Sequence, residues 1–113
     1  MNSRETIKCL IESNIIPIIN ENDTVATDEL KFGDNDRLAA RVAQVIDADL
    51  LILLSDVEGL YDKNPKLNKE ANLINKVSEI TSKIFKMSTS ETNIHGSGGM
   101  FTKIQAAEIA FTF

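Results

Sequence analysis

The hydrophobic residues of this chain are arranged in two ways, as periodically spaced positions and as short continuous runs. Four stretches repeat their apolar residues every three to four positions, as amphipathic helices do. They cover residues 3–13, 36–47, 81–87 and 100–111. Two short runs are continuously apolar, IIPII at 15–19 and LLILL at 50–54, and such runs are typical of strands buried on both faces. The pattern therefore predicts an α/β fold with a mainly parallel sheet.

Local signals refine these elements. Asn2 is placed to cap the first helix, and Asn14 is placed to end it in a left-handed conformation. Pro17 conflicts with a central strand position, because proline cannot donate a ladder hydrogen bond. Weaker alternation predicts a hairpin at 25–32 and a short strand at 73–77.

Composition narrows the class of protein. The 113 residues suffice for one domain, and 42% hydrophobic with 26% charged residues is the balance of a folded chain. The net charge of −5 argues against nucleic acid and anionic membranes as partners. The single cysteine, Cys9, excludes a disulfide within the chain, and we interpret it as a small apolar helix residue. Because no signal peptide or apolar span is visible, we expect a cytoplasmic protein.

The segment GDND at 33–36 is the first candidate for chemistry. One reading is a glycine turn followed by a helix cap, which explains one of the three polar residues. The other reading is functional, since Asp34 and Asp36 would repel each other unless cationic or hydrogen-bonding groups met them. The spacing alone leaves both readings open.

Two further polar groups follow the apolar runs. NEND at 20–23 comes directly after the first run, and Ser55 with Asp56 follows the second. Ligands of open α/β sheets bind beyond the carboxyl ends of strands, so both groups are placed to share one crevice. Solvated turns remain the alternative for each group.

The segment HGSGGMFTK at 95–103 has the outline of a phosphate cradle. Its glycines allow close approach of the backbone, and the helix that follows offers free backbone donors to an anion. Lys103 adds a positive charge about one turn into that helix. The alternative is a loop of small residues before a helix. His95 is interpreted as a loop residue, and no Cys/His cluster has the spacing of metal ligands.

These segments, in this order, resemble the glutamate 5-kinases of the amino acid kinase superfamily. The resemblance rests on PIINENDTVATDELKFGDND, ADLLILLSDVEGLYDKNP and GSGGMFTKIQAAEIA, and it runs over essentially the whole chain. It implies a three-layer α/β/α sandwich. It also implies transfer of the γ-phosphoryl group of ATP to the side-chain carboxylate of L-glutamate with Mg²⁺, the first step of proline biosynthesis.

The resemblance also implies a role for each matching position. L-Glutamate would be held by Asn20, Asp23, Asp34 and Asn35, chiefly through its amino group. Ser55 and Asp56 would lie in the nucleotide site, and the ATP phosphates would be lined by Ser97, Gly98, Gly99, Met100, Phe101, Thr102 and Lys103. Lys103 would neutralise the transition state, and Asp36 would orient it. Phosphoryl transfer needs positioning and charge neutralisation more than covalent chemistry.

The matching segments correspond to the C-terminal portion of that kinase domain. We therefore expect residues 1–113 to form a partial amino acid kinase domain, without the N-terminal half and the closing elements. Such a chain would have little activity alone, and the complete enzyme would be a homo-oligomer. Two alternatives remain open: a superfamily kinase acting on acetylglutamate, aspartate or UMP, and an inactive nucleotide-binding module.

Overall fold

The computed structural model describes residues 2–20, 34–89 and 99–112. Within them the chain forms four helices: α1 (Ser3–Glu12), α2 (Asp34–Val45), α3 (Ser82–Ser88) and α4 (Gly99–Phe111). All four predicted helices are confirmed, with ends that differ by at most two residues. The described residues contain no strand, and one isolated antiparallel bridge joins Tyr61 to Leu73. The predicted hairpin lies outside the described residues.

Side-chain caps start two of the helices. The Asn2 side chain accepts a hydrogen bond from the Glu5 backbone at 2.9 Å, which confirms the predicted cap of α1. Thr81 caps α3 in the same way by accepting from the Ile84 backbone at 3.4 Å. Each cap satisfies one of the backbone donors that a helix start leaves free.

The ends of α1 and α2 share one geometry. Asn14 follows α1 with a φ of 59°, as predicted, and Asp47 follows α2 with a φ of 53°. Asparagine and aspartate tolerate this left-handed conformation better than most residues. After this reversal, the next backbone N–H donates to a carbonyl of the last helical turn. Ile15 donates to the Leu10 carbonyl and Ala48 donates to the Ala43 carbonyl, each at 2.9 Å. Both helices therefore stop before the apolar runs begin.

Helices α2 and α4 pack side by side and run in the same direction. Asp36 near the start of α2 meets Thr102 and Lys103 near the start of α4. At the other end, the Gln44 side chain donates to the Ile109 carbonyl at 2.7 Å. Between these polar contacts the side chains are small, since Ala40 and Ala106 are fully buried and Ala43 is buried. We call this contact, from Asp36 and Thr102 to Gln44 and Ile109, the α2–α4 seam.

The hydrophobic core lies on the other side of α4. Leu60, Met100 and Ile104 are its buried residues. Partly buried side chains from α3 and from residues 74–80, which precede it, surround them: Ile74, Val77, Ile80, Ile84, Phe85 and Met87. Residues 60 and 74 are joined beside this core by an antiparallel contact, in which the Ile74 backbone donates to the Leu60 carbonyl at 2.8 Å.

Gly59 allows that contact. Its φ of +152° is a conformation that side chains disfavour, and a Cβ there would lie 3.1 Å from the Leu73 side chain. The predicted strand at 73–77 is thereby reduced to the single bridge between Leu73 and Tyr61.

The burial predicted for the two apolar runs is wrong. Ile16 and Ile18 are 88% and 94% exposed, and Leu50, Ile52 and Leu54 are 74%, 69% and 87% exposed. Their neighbours in sequence are less exposed, so exposure alternates with the period of two that an extended chain gives. No backbone hydrogen bond joins residues 16–20 or 50–56 to a described backbone group. We call residues 15–19 and 50–54 the two apolar segments.

The helices of the described residues are 7 to 13 residues long, whereas a membrane span needs about 20 apolar residues. None of them is long and apolar enough to cross a membrane.

Candidate active site

The centre of the candidate site is an ion pair across the α2–α4 seam. The Lys103 ammonium lies 3.0 Å from Oδ2 and 3.2 Å from Oδ1 of Asp36. The two side chains are only 18% and 15% exposed. Because both groups sit near the starts of parallel helices, the pair lies at one end of the seam. The structure thus joins two residues that are 67 positions apart in the sequence.

The three polar residues of GDND lie inside α2, whereas a cap would precede the helix. Helix α2 begins at Asp34, so Asp34, Asn35 and Asp36 all belong to its first turn. Acidic side chains are favoured at a helix start, where the partial charge of the backbone is positive. Lys103 offsets the second carboxylate as well. Asp36 therefore has a compensating positive charge both at the helix start and at Lys103.

Thr102 forms the second link to Asp36. Its hydroxyl lies 3.1 Å from Asp36 Oδ2 and 3.0 Å from the Gly99 carbonyl, and the residue is 5% exposed. Asp36 therefore has donors from two successive residues of α4. The side chain of Thr102, which was predicted to line the ATP phosphates, is directed into the seam.

The other described residues of the glycine-rich segment differ in their packing. Met100 is buried in the core, and the ring of Phe101 packs edge-on against Phe85 with centroids 6.2 Å apart. Their side chains hold α4 in place, so only their backbone is free to face a phosphate. Gly99 opens α4, and a Cβ built on it meets no atom within 4 Å. The first backbone N–H groups of α4 have no partner within the helix, as at any helix start.

An open cavity of about 460 Å³ lies along α2. Asn20, at the end of the first apolar segment, and Asn35, in the first turn of α2, both line it. The remaining lining comes from the two apolar segments and from the apolar face of α2: Pro17, Ile19, Leu38, Ala39, Val42, Ala43, Ile46, Ala48, Leu50 and Leu51. Two amides predicted to hold a substrate therefore share one cavity, and Asp36 follows Asn35 directly.

Ser55 and Asp56 stand apart from this cluster. Both are exposed, and the Ser55 hydroxyl accepts from the Val57 backbone at 3.2 Å in a local turn. None of the hydrogen bonds or ion pairs found among the described residues connects them to Asp36 or Lys103. Of NEND only Asn20 lies within the described residues, so the crevice expected between the ends of the two apolar runs stays a prediction.

Several predicted residues cannot be placed. Asp23, Ser97 and Gly98 lie outside the described residues, as does His95, and the Asp34 side chain is not described. Across ranges 2–20, 34–89 and 99–112, no group of three or more His, Cys, Asp or Glu residues is arranged to hold a metal ion.

Sequence reasoning missed the polar contact at the far end of the seam. The Gln44 amide donates to the Ile109 carbonyl and lies 3.3 Å from the Thr112 hydroxyl. No local pattern announces such a contact, because its two partners are 65 residues apart.

Comparison with known proteins places this geometry in context. The model of the amino acid kinase family matches residues 1–111. Glutamate 5-kinase of Nitrobacter winogradskyi is 56% identical over 112 residues, and that of Pelagibacter ubique is 54% identical over 109 residues. These matches cover 99% and 96% of this chain but only 30% of each relative. Glutamate 5-kinase of Clostridium acetobutylicum is 53% identical over 110 residues, which cover 97% of this chain and 41% of the relative.

Proposed function

This chain belongs to the amino acid kinase family, and from that premise we propose that it supplies part of a glutamate 5-kinase. That enzyme would transfer the γ-phosphoryl group of ATP to the side-chain carboxylate of L-glutamate. The observation that carries the proposal is the largely buried Asp36–Lys103 pair beside a cavity lined by Asn20 and Asn35. The relatives named glutamate 5-kinase support the choice of substrate.

The residues of the seam suit phosphoryl transfer to a carboxylate. Lys103 brings a positive charge that would stabilise charge developing on the transferred group, and Asp36 keeps its ammonium in place. The acceptor carboxylate of glutamate is already ionised at neutral pH, so the reaction requires no general base. Asn20 and Asn35 would bind and orient the amino acid, together with Asp23 and Asp34.

ATP and Mg²⁺ fit the other side of the same site. The backbone N–H groups at the start of α4, which have no partner within the helix, suit phosphate oxygens. We assign Ser97 to Lys103 to the phosphates, through the backbone at Met100, Phe101 and Thr102, and Ser55 with Asp56 to the nucleotide. Mg²⁺ would neutralise the phosphates, and it is commonly held through the phosphates themselves with few protein ligands.

We further propose that residues 1–113 are a partial domain of the three-layer sandwich. The radius of gyration is 16.1 Å, against about 13 Å for a compact domain of this length. The two apolar segments keep the alternation of strands but have no backbone partner among the described residues. In a complete domain these segments would pair with strands from the remaining part of the kinase. We expect that complete enzyme to be a cytoplasmic homo-oligomer.

The test is a chimeric enzyme. The matched 112 residues of the Nitrobacter winogradskyi glutamate 5-kinase are replaced by this chain. Formation of glutamyl phosphate is then followed with ATP and Mg²⁺, by trapping as the hydroxamate. We expect activity with L-glutamate, and little activity from the 113-residue chain alone. A folded chimera that is inactive with glutamate would contradict the proposal, and turnover of acetylglutamate, aspartate or UMP instead would identify another kinase of the superfamily.

The partial-domain proposal has its own control. Ile52→Asp places a charge on the outward face of the second apolar segment, and Lys66→Asp places one on an exposed loop residue. We expect Ile52→Asp to disrupt the chimera, whereas Lys66→Asp leaves it folded and active. Equal behaviour of the two variants would mean that the apolar segment has no partner in the complete domain.

A further inference from the structure

Thr102 occupies an unexpected position for a residue of a nucleotide-binding segment. Although it lies in the first turn of α4, next to Lys103, the residue is 5% exposed. Its hydroxyl lies within 3.1 Å of Asp36 Oδ2, across the seam. A side chain turned into a helix interface in this way cannot at the same time reach a phosphate in front of the helix.

The hydroxyl has one proton and two acceptors within reach. The Gly99 carbonyl lies at 3.0 Å and Asp36 Oδ2 at 3.1 Å. The α-helical pattern already gives the Gly99 carbonyl a donor, the backbone N–H of Lys103. A hydrogen bond to a carboxylate is about twice as strong as one between neutral groups. The proton of Thr102 is therefore better used on Asp36.

This bond restricts how the carboxylate can turn. Asp36 Oδ2 accepts from both Thr102 and Lys103, and Oδ1 accepts from Lys103 alone at 3.2 Å. With Thr102 holding Oδ2, both oxygens stay directed at the ammonium. Without it, the carboxylate is free to rotate, since this torsion has broad preferences.

We propose that Thr102 is a positioning residue, which fixes the Asp36 carboxylate and through it the Lys103 ammonium, and that it does not bind the nucleotide through its side chain. The proposal rests on the proposed kinase function for its catalytic consequence. Its structural part, the control of Lys103 by Thr102, concerns only this chain.

Two variants separate the hydroxyl from the shape of the side chain. Thr102→Val keeps the volume and removes the donor, whereas Thr102→Ser keeps the donor. Arg41→Gln serves as a control, because Arg41 is exposed on α2. The first readout is the acylation rate of each lysine of the 113-residue chain by an activated acetate ester, measured by mass spectrometry.

We expect Thr102→Val to raise acylation of Lys103 by roughly three- to tenfold, the range that one lost hydrogen bond explains. The exposed residues Lys66 and Lys86 serve as internal standards and should be unchanged. Thr102→Ser and Arg41→Gln should react like the unmodified chain. If Thr102→Val unfolds the chain, all lysines accelerate together and Thr102→Ser decides: protection of Lys103 supports the proposal, and its loss overturns it. Unchanged Lys103 acylation in a folded Thr102→Val chain also overturns it.

The second readout is the division of the kinetic effect in the chimera. A positioning role predicts a kcat about tenfold lower in Thr102→Val, with the KM for ATP unchanged and activity restored in Thr102→Ser. A raised KM for ATP with normal kcat would show that the hydroxyl binds nucleotide, and would overturn the proposal. If the unmodified chimera is inactive, the proposed function fails, but the acylation experiment still tests the structural part.

Discussion

The α2–α4 seam and the two apolar segments differ in the burial of their apolar residues. In the seam, Ala40 and Ala106 are fully buried between polar contacts at either end. In the apolar segments, Ile18 and Leu54, which are far larger, are 94% and 87% exposed. Helices satisfy their own backbones and need only a neighbouring face, whereas a strand needs a partner for its backbone as well.

The difference teaches which part of the candidate site this chain builds by itself. Ion pairing and helix packing need only α2 and α4, so Asp36 and Lys103 meet without a sheet. The residues placed after the apolar segments depend on strands that the described residues do not form. Ser55 and Asp56 accordingly remain exposed, without a hydrogen bond or ion pair to Asp36 or Lys103 among the described residues.

The largest expected effect is the difference in stability between a substitution in the hydrophobic core beside the seam and one in the apolar segments. Ile104→Ala removes a core side chain that is 8% exposed, and it should lower the free energy of unfolding by about 2–5 kcal/mol. Ile52→Ala removes one that is 69% exposed and should change it by less than about 0.5 kcal/mol. Urea unfolding of the 113-residue chain measures both values. Equal losses would mean that the apolar segments are already packed in solution.

The next effect concerns the chemistry of the seam. Lys103→Ala in the chimera should lower kcat by on the order of 10²-fold or more, because it removes charge that is used in the transition state. Lys86→Ala, at an exposed position of α3, is the matched control and should leave kcat unchanged. Steady-state kinetics with L-glutamate and ATP would decide. A normal kcat for Lys103→Ala would remove that residue from catalysis.

A smaller effect tests the close approach of α2 and α4. Ala40→Leu adds volume at a fully buried position and should cost about 1–3 kcal/mol of stability through overpacking. Arg41→Leu adds an apolar side chain at the neighbouring exposed position and should be nearly neutral. Both are measured by urea unfolding. If the chain accommodates Ala40→Leu without loss, the helices are not held at the spacing seen in the structure.

The smallest effect concerns residues 62–72, which lie between the second apolar segment and α3. The Asn72 backbone donates to the Asp62 carboxylate at 2.7 Å, and this bond is the main cause that lowers the pKa of Asp62 below 3.8. A carboxyl whose pKa is lower in the folded state stabilises the fold above the unfolded pKa, and that contribution is lost as pH falls through the folded pKa. The Asn72 amide resonance, followed by NMR, should therefore shift with a midpoint below 3.8. A midpoint at or above that value would show that the bond does not persist in solution.

Much of the local structure could be predicted from residue types. The cap at Asn2 and the left-handed stop at Asn14 follow from side chains that act within a few residues. The start of α2 at Asp34 was placed two residues too late, because a cap and a first-turn acidic residue look alike in sequence. The pairing of Asp36 with Lys103 was expected only through resemblance to a known family, since the two lie on separate helices.

The sequence by itself determined the helices, their ends and the polar residues at their starts, because these depend on interactions between residues close along the chain. The tertiary structure alone decided that α2 and α4 run in parallel, that Thr102 turns to Asp36, and that Gln44 ties the far end of the seam. It also decided that alternate residues of the two apolar segments stay exposed: Ile16, Ile18, Leu50, Ile52 and Leu54. Burial of a strand requires partners distant in sequence, and a run of apolar residues does not state whether those partners are present.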